Sequence, residues 1–218
     1  RVLRLRSAAE PREPAGLAVR HIAPGEGGGT GAAADPFRGL AAAESAAAPG
    51  TLFLLHAGVY RAAPWRVSRS GVPGRAMNTR PLVASARPGR RITYGGAGNG
   101  EVILDGEGGE RAVNAQGARH VWLEGVTIRN ARYLFVGNGG SHLVVRRSRF
   151  EMTRVGFEAI TGSYDESRGF FVTDNVFIGP SKWPRPPRIE PYNAMSVSGA
   201  GDVIAWDCLQ PHAGGGHR

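Results

Sequence analysis

Four segments of this chain repeat one short pattern: Val121-Trp-Leu-Glu-Gly-Val-Thr-Ile128, Leu143-Val-Val-Arg-Arg-Ser-Arg-Phe150, Phe170-Phe-Val-Thr-Asp-Asn-Val-Phe177 and, in weaker form, Val203-Ile-Ala-Trp-Asp-Cys-Leu-Gln210. Each holds a short apolar strand, a two-residue polar turn and a second short strand. The starts step by 22, 27 and 33 residues (143−121, 170−143, 203−170). A strand-rich period of about 20 to 30 residues without helical periodicity indicates stacked β-coils, in which no coil buries its inner face alone. The growing step puts loops of unequal length at one corner, where function would be grafted.

Alternation assigns the columns of the repeat. Val121/Leu143/Phe170/Val203, Leu123/Val145/Val172/Ala205 and Ile128/Phe150/Phe177 read as inward rows. The column Val126/Ser148/Asn175/Cys208 follows the turn, where a small or amide side chain satisfies buried backbone groups. Cys208, the one cysteine, is thereby expected to be structural, and no intrachain disulfide is possible. Shorter apolar runs at 112–114, 134–136, 157–160 and 195–197 give each coil a third strand position. His120 and His142 precede successive octets at equivalent places and are expected to stack as corner packing, since two imidazoles alone do not make a metal site.

Glycine, 33 of 218 residues, recurs between the strands as corners would. The length suits one core of about six coils. The net charge of +9 comes from 27 basic residues, of which only Lys182 is a lysine, dispersed along the chain. Nucleic-acid tracking needs clustered cations interleaved with aromatics, so that class is set aside, whereas an acidic polysaccharide uses dispersed arginine equally well. No run approaches the length of a membrane span. The chain opens on Arg1 and shows no signal peptide, which reads as a piece of a longer product.

Residues 1–34 read as a flexible N-terminal segment. Asp35-Pro36 is a helix start, the carboxylate capping free N–H groups and Pro occupying the first turn, with a helix expected over 36–48. It would close the apolar end of a β domain running over 35–210. Residues 211–218 read as a disordered tail. With no cap in view after the Val203 octet, the last coil is expected either to continue in a longer product or to pair with another chain.

The helix and Ala57-Gly-Val-Tyr60, followed by Ile103-Leu-Asp-Gly106, His120-Val-Trp-Leu-Glu-Gly-Val-Thr-Ile128 and Asp174-Asn-Val-Phe177, resemble the right-handed parallel β-helix repeat proteins of the pectate-lyase-like superfamily. The resemblance covers roughly residues 34 to 207. It implies an all-β, single-stranded right-handed parallel β-helix with an N-terminal capping α-helix. It also implies a carbohydrate-active protein, secreted or periplasmic, whose partner is a polysaccharide. A lyase or epimerase acting on acidic polysaccharide is the leading expectation, and a non-catalytic polysaccharide-binding or cell-surface module is the alternative. Glycoside hydrolysis is disfavoured because Glu124, Glu158, Asp165, Glu166 and Asp174 are scattered rather than grouped. Calcium is the cofactor the resemblance allows, but no compact acidic set supplies its six to eight oxygens, and no metal ligand is assigned.

The groove is expected over residues 157–193, and its longest insertion, residues 179–193, carries most of the site residues. Lys182, Arg188, Glu190 and Tyr192 are the candidate catalytic groups, because a polyuronate lyase needs a cation for the carboxylate, a base for the α proton and an acid for the leaving oxygen. Trp183, Arg185, Arg149 and Glu158 are the candidate substrate contacts. Arg146 and Arg147 are expected at a solvated corner.

Overall fold

The computed structural model describes residues 15–61, 64–65, 77–78, 80–81, 86–88, 90–151, 154–160, 169–179, 193–198 and 203–206. The first half comprises β1 (Ala18–Ala23), β2 (Phe37–Arg38), α1 (Leu40–Ser45), β3 (Thr51–Leu55), β4 (Gly58–Arg61), β5 (Pro64–Trp65), β6 (Met77–Asn78), β7 (Arg80–Pro81), β8 (Ile92–Gly96) and β9 (Val102–Asn114). The second comprises β10 (Val121–Glu124), β11 (Thr127–Val136), β12 (Val144–Arg146), β13 (Arg149–Glu151), β14 (Val155–Ile160), β15 (Phe170–Thr173), β16 (Val176–Ile178), β17 (Asn193–Ser198) and β18 (Val203–Trp206). Apart from the antiparallel β5–β6 pair, the described strand pairings are parallel.

One sheet runs β18-β15-β12-β10-β8-β3-β1-β2; in the other, β9, β11, β13 and β16 follow one another, while β14 and β17 extend the far half of β11. Strands one sequence repeat apart are therefore neighbours, the arrangement a β-helix requires.

The register agrees with the octet alignment. Phe53, Tyr94, Leu123, Val145, Val172 and Ala205 are successive partners along the first sheet. Tyr60, Leu104, Ile128, Phe150 and Phe177 form a second row, and Val113, Phe135, Phe157 and Met195 a third. The inward members Val121, Leu123, Ile128, Leu143, Val145, Phe150, Phe170, Val172 and Phe177 all lie in one buried cluster. Rings stack along the rows, Phe150 on Phe177 at 4.5 Å, Phe53 on Tyr94 at 5.1 Å and Phe135 on Phe157 at 5.4 Å between centroids. Each such side chain contributes about 1.5–3 kcal/mol by burial, and each aromatic pair about 0.5–1.5 more.

Gly125, Arg147 and Asp174 occupy the same turn of successive repeats with φ of 68°, 49° and 54°, a left-handed conformation that bends the chain in two residues. Just beyond it the corner column satisfies buried backbone. Ser148 N donates to Asn175 Oδ1 at 2.9 Å, and Asn175 Nδ2 donates to Val145 O at 2.8 Å. Ser148 Oγ donates to Arg146 O at 2.9 Å. Cys208, the next expected member, lies outside the described residues.

Two expectations about the N-terminal part change. The segment expected to be flexible contains β1, paired with β3 over five residues from Ala18↔Thr51 to Ile22↔Leu55. The helix is shorter than expected: α1 is six residues long and begins after Gly39 (φ 84°), not at Pro36. Asp35 does not cap it. Its carboxylate accepts from Thr30 N at 3.1 Å, closing a loop that lets Phe37–Arg38 pair with Ile22–Ala23 as strand. Glu44 of α1 accepts a hydrogen bond from Tyr94, which ties the helix to β8. The tail at 211–218 lies outside the described residues.

His120 and His142 stack with centroids 4.5 Å apart and planes 19° from parallel, both with left-handed φ. Burial, then the charges of His142, Arg91 and Arg119, hold the His120 imidazole below its ordinary value of 6.5. A depressed histidine favours the neutral ring in the folded state. Its contribution to stability is complete above pH 6.5 and is lost as pH falls through the lowered value. The melting temperature is therefore expected to fall on acidification below pH 6.5, and His120→Asn, which tolerates the same backbone conformation, is expected to flatten that decline. A pH series of thermal melts on the two proteins checks this.

Candidate functional site

Three adjacent parallel strands, β9, β11 and β14, bring together arginines, a tyrosine and a glutamate from different repeats. Tyr133 is the Cα partner of Arg111 on one side and of Val155 on the other. That register delivers Arg154, 21 residues away in sequence, to the Tyr133 hydroxyl, to which its Nη1 donates at 2.6 Å. The guanidinium carbons of Arg132 and Arg154 lie 5.4 and 5.1 Å from the Tyr133 ring centroid, each in cation–π range. Arg132 pairs with Glu110 at 3.2 Å, and Arg111 Nη1 donates to Gln116 Oε1 at 2.6 Å. The side chain of Arg132 stays 34% exposed and that of Glu110 22%, so a ligand can compete for this pair.

Further along the same strands, Val136 pairs with both Glu158 and Asn114. Glu158 Oε1 accepts from Asn138 Nδ2 at 2.9 Å, and Asn114 Oδ1 accepts from Gln116 N at 3.1 Å. Three residues separate Tyr133 from Val136, or about 10 Å of strand. Guanidiniums and a phenol thus lie at one end of this stretch of strands, here called the track, and an acid–amide pair at the other, at register positions of opposite parity. The Tyr133 oxygen accepts from Arg154, which leaves its own proton available for donation.

The sequence-predicted residues fall in three places. Lys182, Trp183, Arg185, Arg188, Glu190 and Tyr192 lie outside the described residues. Glu158 is on the track. Arg149 is on β13, beyond the bend that divides β11, where it pairs with Glu151 at 2.9 Å and is half exposed. Arg149 and Glu158 are thus on different branches of the sheet. Arg111, Arg132, Tyr133 and Arg154 carried no sequence signal of their own, since only the register makes them neighbours.

The other charged cluster differs from expectation. Arg146 is not part of a solvated corner. Its side chain is 7% exposed, its Nε donates to Glu124 Oε2 at 2.8 Å and its guanidinium carbon lies 4.4 Å from the Trp122 ring centroid. Arg147, mostly exposed, donates to Glu124 Oε1 at 2.8 Å, and Trp122 Nε1 to Oε2 at 2.8 Å. Burial alone would raise the Glu124 carboxyl, but the hydrogen bonds from Arg146 and Trp122 and the two guanidinium charges outweigh it and hold the group below its ordinary value. A carboxylate so engaged is a poor general base. Asp105 is similar: burial opposes ionisation, yet bonds from Glu107 N at 2.8 Å, Asn130 Nδ2 at 2.9 Å and Arg129 Nε at 3.0 Å lower it. It fastens the second bend, at Glu107 and Asn130, both with left-handed φ.

Among the described residues no group of three or more His, Cys, Asp or Glu is placed to hold a metal ion, and no helix is long and apolar enough to cross a membrane. No protein-family profile and no curated protein matches the chain. Among solved structures it is similar to a rhamnogalacturonan lyase, with 13% identity, a TM-score of 0.47 and coverage of 85% of this chain and 62% of the other. It is also similar to the pectate lyase Pel9A, with 19% identity, a TM-score of 0.38 and coverage of 81% and 58%. The chain thus spans about three fifths of the length of either, and a likeness at this level says nothing about activity.

Proposed function

We propose that the protein is a right-handed parallel β-helix that acts outside the cytoplasm on an acidic polysaccharide, bound along β9, β11 and β14. The observation that carries the reading is the meeting of Arg132 and Tyr133 of β11 with Arg154, the residue just before β14, beside Arg111 of β9. Guanidiniums pair with carboxylates through charge-assisted hydrogen bonds, and the Tyr133 ring between them holds the two side chains in place. The arginines would neutralise uronate carboxylates, and Glu158 with Asn138 would take hydroxyls farther along the strand.

The reaction this favours is elimination. With a carboxylate neutralised by arginine, a base removes the proton α to it, the electron pair forms a C4–C5 double bond, the glycosidic C4–O4 bond breaks and an acid protonates the departing oxygen. Tyr133 suits the acid role. Lys182, Arg188, Glu190 and Tyr192 remain the candidates for the rest, with Trp183 and Arg185 as sugar contacts. Connectivity supports including them: β17 begins at Asn193, directly after Tyr192, and Asn193 pairs with Val155, next to Arg154. Binding without cleavage is the second reading, favoured by the engagement of each described acid of the track with a partner of its own.

Polygalacturonate and alginate binding, followed by calorimetry at low salt, tests the proposal. Arg132→Ala combined with Arg154→Ala is expected to weaken binding at least tenfold, since each lost charge-assisted bond is worth about 1.5–3 kcal/mol. Ultraviolet absorbance of an unsaturated product identifies a lyase, and retained binding without that signal identifies a binding module. Unchanged affinity in a folded double variant contradicts the site.

A further inference from the structure

We propose that the outward side of β3, β8 and β10 holds a second carbohydrate site, a recess for one neutral hexose unit, separate from the acidic-polysaccharide track. The recess has a volume of about 410 Å³, and its lining includes Leu52, Leu54, Thr93, Gly95, Trp122 and Glu124. Its floor is made by register: Leu54 and Glu124 are both Cα partners of Gly95. Gly95 has no left-handed φ, and a Cβ built there meets nothing within 4 Å. Neither backbone conformation nor crowding calls for glycine at this place. What the missing side chain provides is open space between a leucine and a carboxylate.

The walls differ in chemistry. Leu52 and Leu54 are half-buried and apolar. Opposite, Thr93 is 8% exposed, and its Oγ1 is buried without a hydrogen-bond partner. A buried hydroxyl of that kind is costly unless a ligand or ordered water meets it. Glu124 Oε1 accepts one described bond, from Arg147, leaving acceptor capacity for a ligand hydroxyl. A pyranose offers what this asks for, a C–H face for the leucines and a hydroxyl edge for Thr93 and Glu124. Glu124 and Arg147 meet at the recess as an ion pair 2.8 Å apart, so each charge is already answered and a ligand without charge of its own is the one that leaves the pair intact.

Saturation-transfer NMR with D-glucose, D-galactose and D-mannose, with D-galacturonate as the charged control, tests this, together with amide shifts of Gly95 and Gly96. At least one neutral hexose is expected to bind and shift both amides, with D-galacturonate weaker. Gly95→Val, which fills the recess, is expected to weaken binding at least tenfold. Thr93→Val, nearly isosteric and removing only the hydroxyl, should weaken it severalfold. Polygalacturonate binding should be unchanged in both variants, so failure here is distinguishable from failure of the acidic-polysaccharide reading. Absence of any neutral hexose effect on these amides, equal binding of D-galacturonate, or full affinity in both variants would overturn the proposal.

Discussion

Replacing Glu124 by alanine is expected to destabilise the protein by about 3–5 kcal/mol, the range for removing one partner of a buried ion pair. The cost arises in what is left behind. Arg146 would keep its charge in a 7% exposed position, and Trp122 Nε1 would lose its acceptor. Arg147, already exposed, would lose little. The effect should depend on pH. Because the Glu124 carboxyl lies below its ordinary value of 4.5, its contribution is complete above that value and disappears as pH falls through the lowered one. Urea unfolding of the two proteins at neutral pH and in acid should show their stabilities converging as pH drops. A neutral-pH difference under about 1 kcal/mol would return Arg146 to the solvated corner that sequence alone suggests.

Asn175→Ala should be comparably damaging, at about 2–5 kcal/mol. Asn175 is fully buried and answers two backbone groups from the preceding repeat, Ser148 N–H and Val145 C=O. Each buried group left unsatisfied costs about 1–3 kcal/mol. Asn175→Asp separates the two bonds. An ionised aspartate still accepts from Ser148 N but cannot donate to Val145 O, so this variant should regain stability in acid, where the carboxyl is protonated. Equilibrium unfolding at two pH values checks the sign, and a neutral effect of the alanine variant would remove the corner from the account.

What the sequence reveals of this fold follows from what alternates. Inward positions such as Leu123, Val145 and Val172 must be apolar on every pass, so their row can be aligned before any coordinate is known. The amide at Asn175 is visible for the same reason, and so is the His120–His142 stack, because equivalent places in successive repeats become neighbours. Outward positions obey no such rule. Trp122 and Arg146 occupy outward places that would ordinarily be solvated, yet they bury one another by stacking, which single-residue polarity does not foretell. Tyr133 and Arg154 lie in different repeats outside the octets, and their contact depends on how β11 bends at Asn130. Asp35 looked like a helix cap because its sequence context is one. The carboxylate instead closes the turn to Thr30, and the strand pairing of Phe37 with Ile22 delays the helix to Leu40. Competition between local and tertiary partners decided that site.

Amide footprinting of bound polygalacturonate tests the central functional claim most directly. Hydrogen exchange or backbone NMR shifts on adding the oligomer should concentrate between Arg111 and Gln116, at Arg132 to Asn138 and at Arg154 to Glu158, and should fade with salt as a charge-driven contact must. Perturbation confined to β3, β8 and β10, or none at oligomer concentrations that saturate binding, would contradict the placement of the acidic-polysaccharide site.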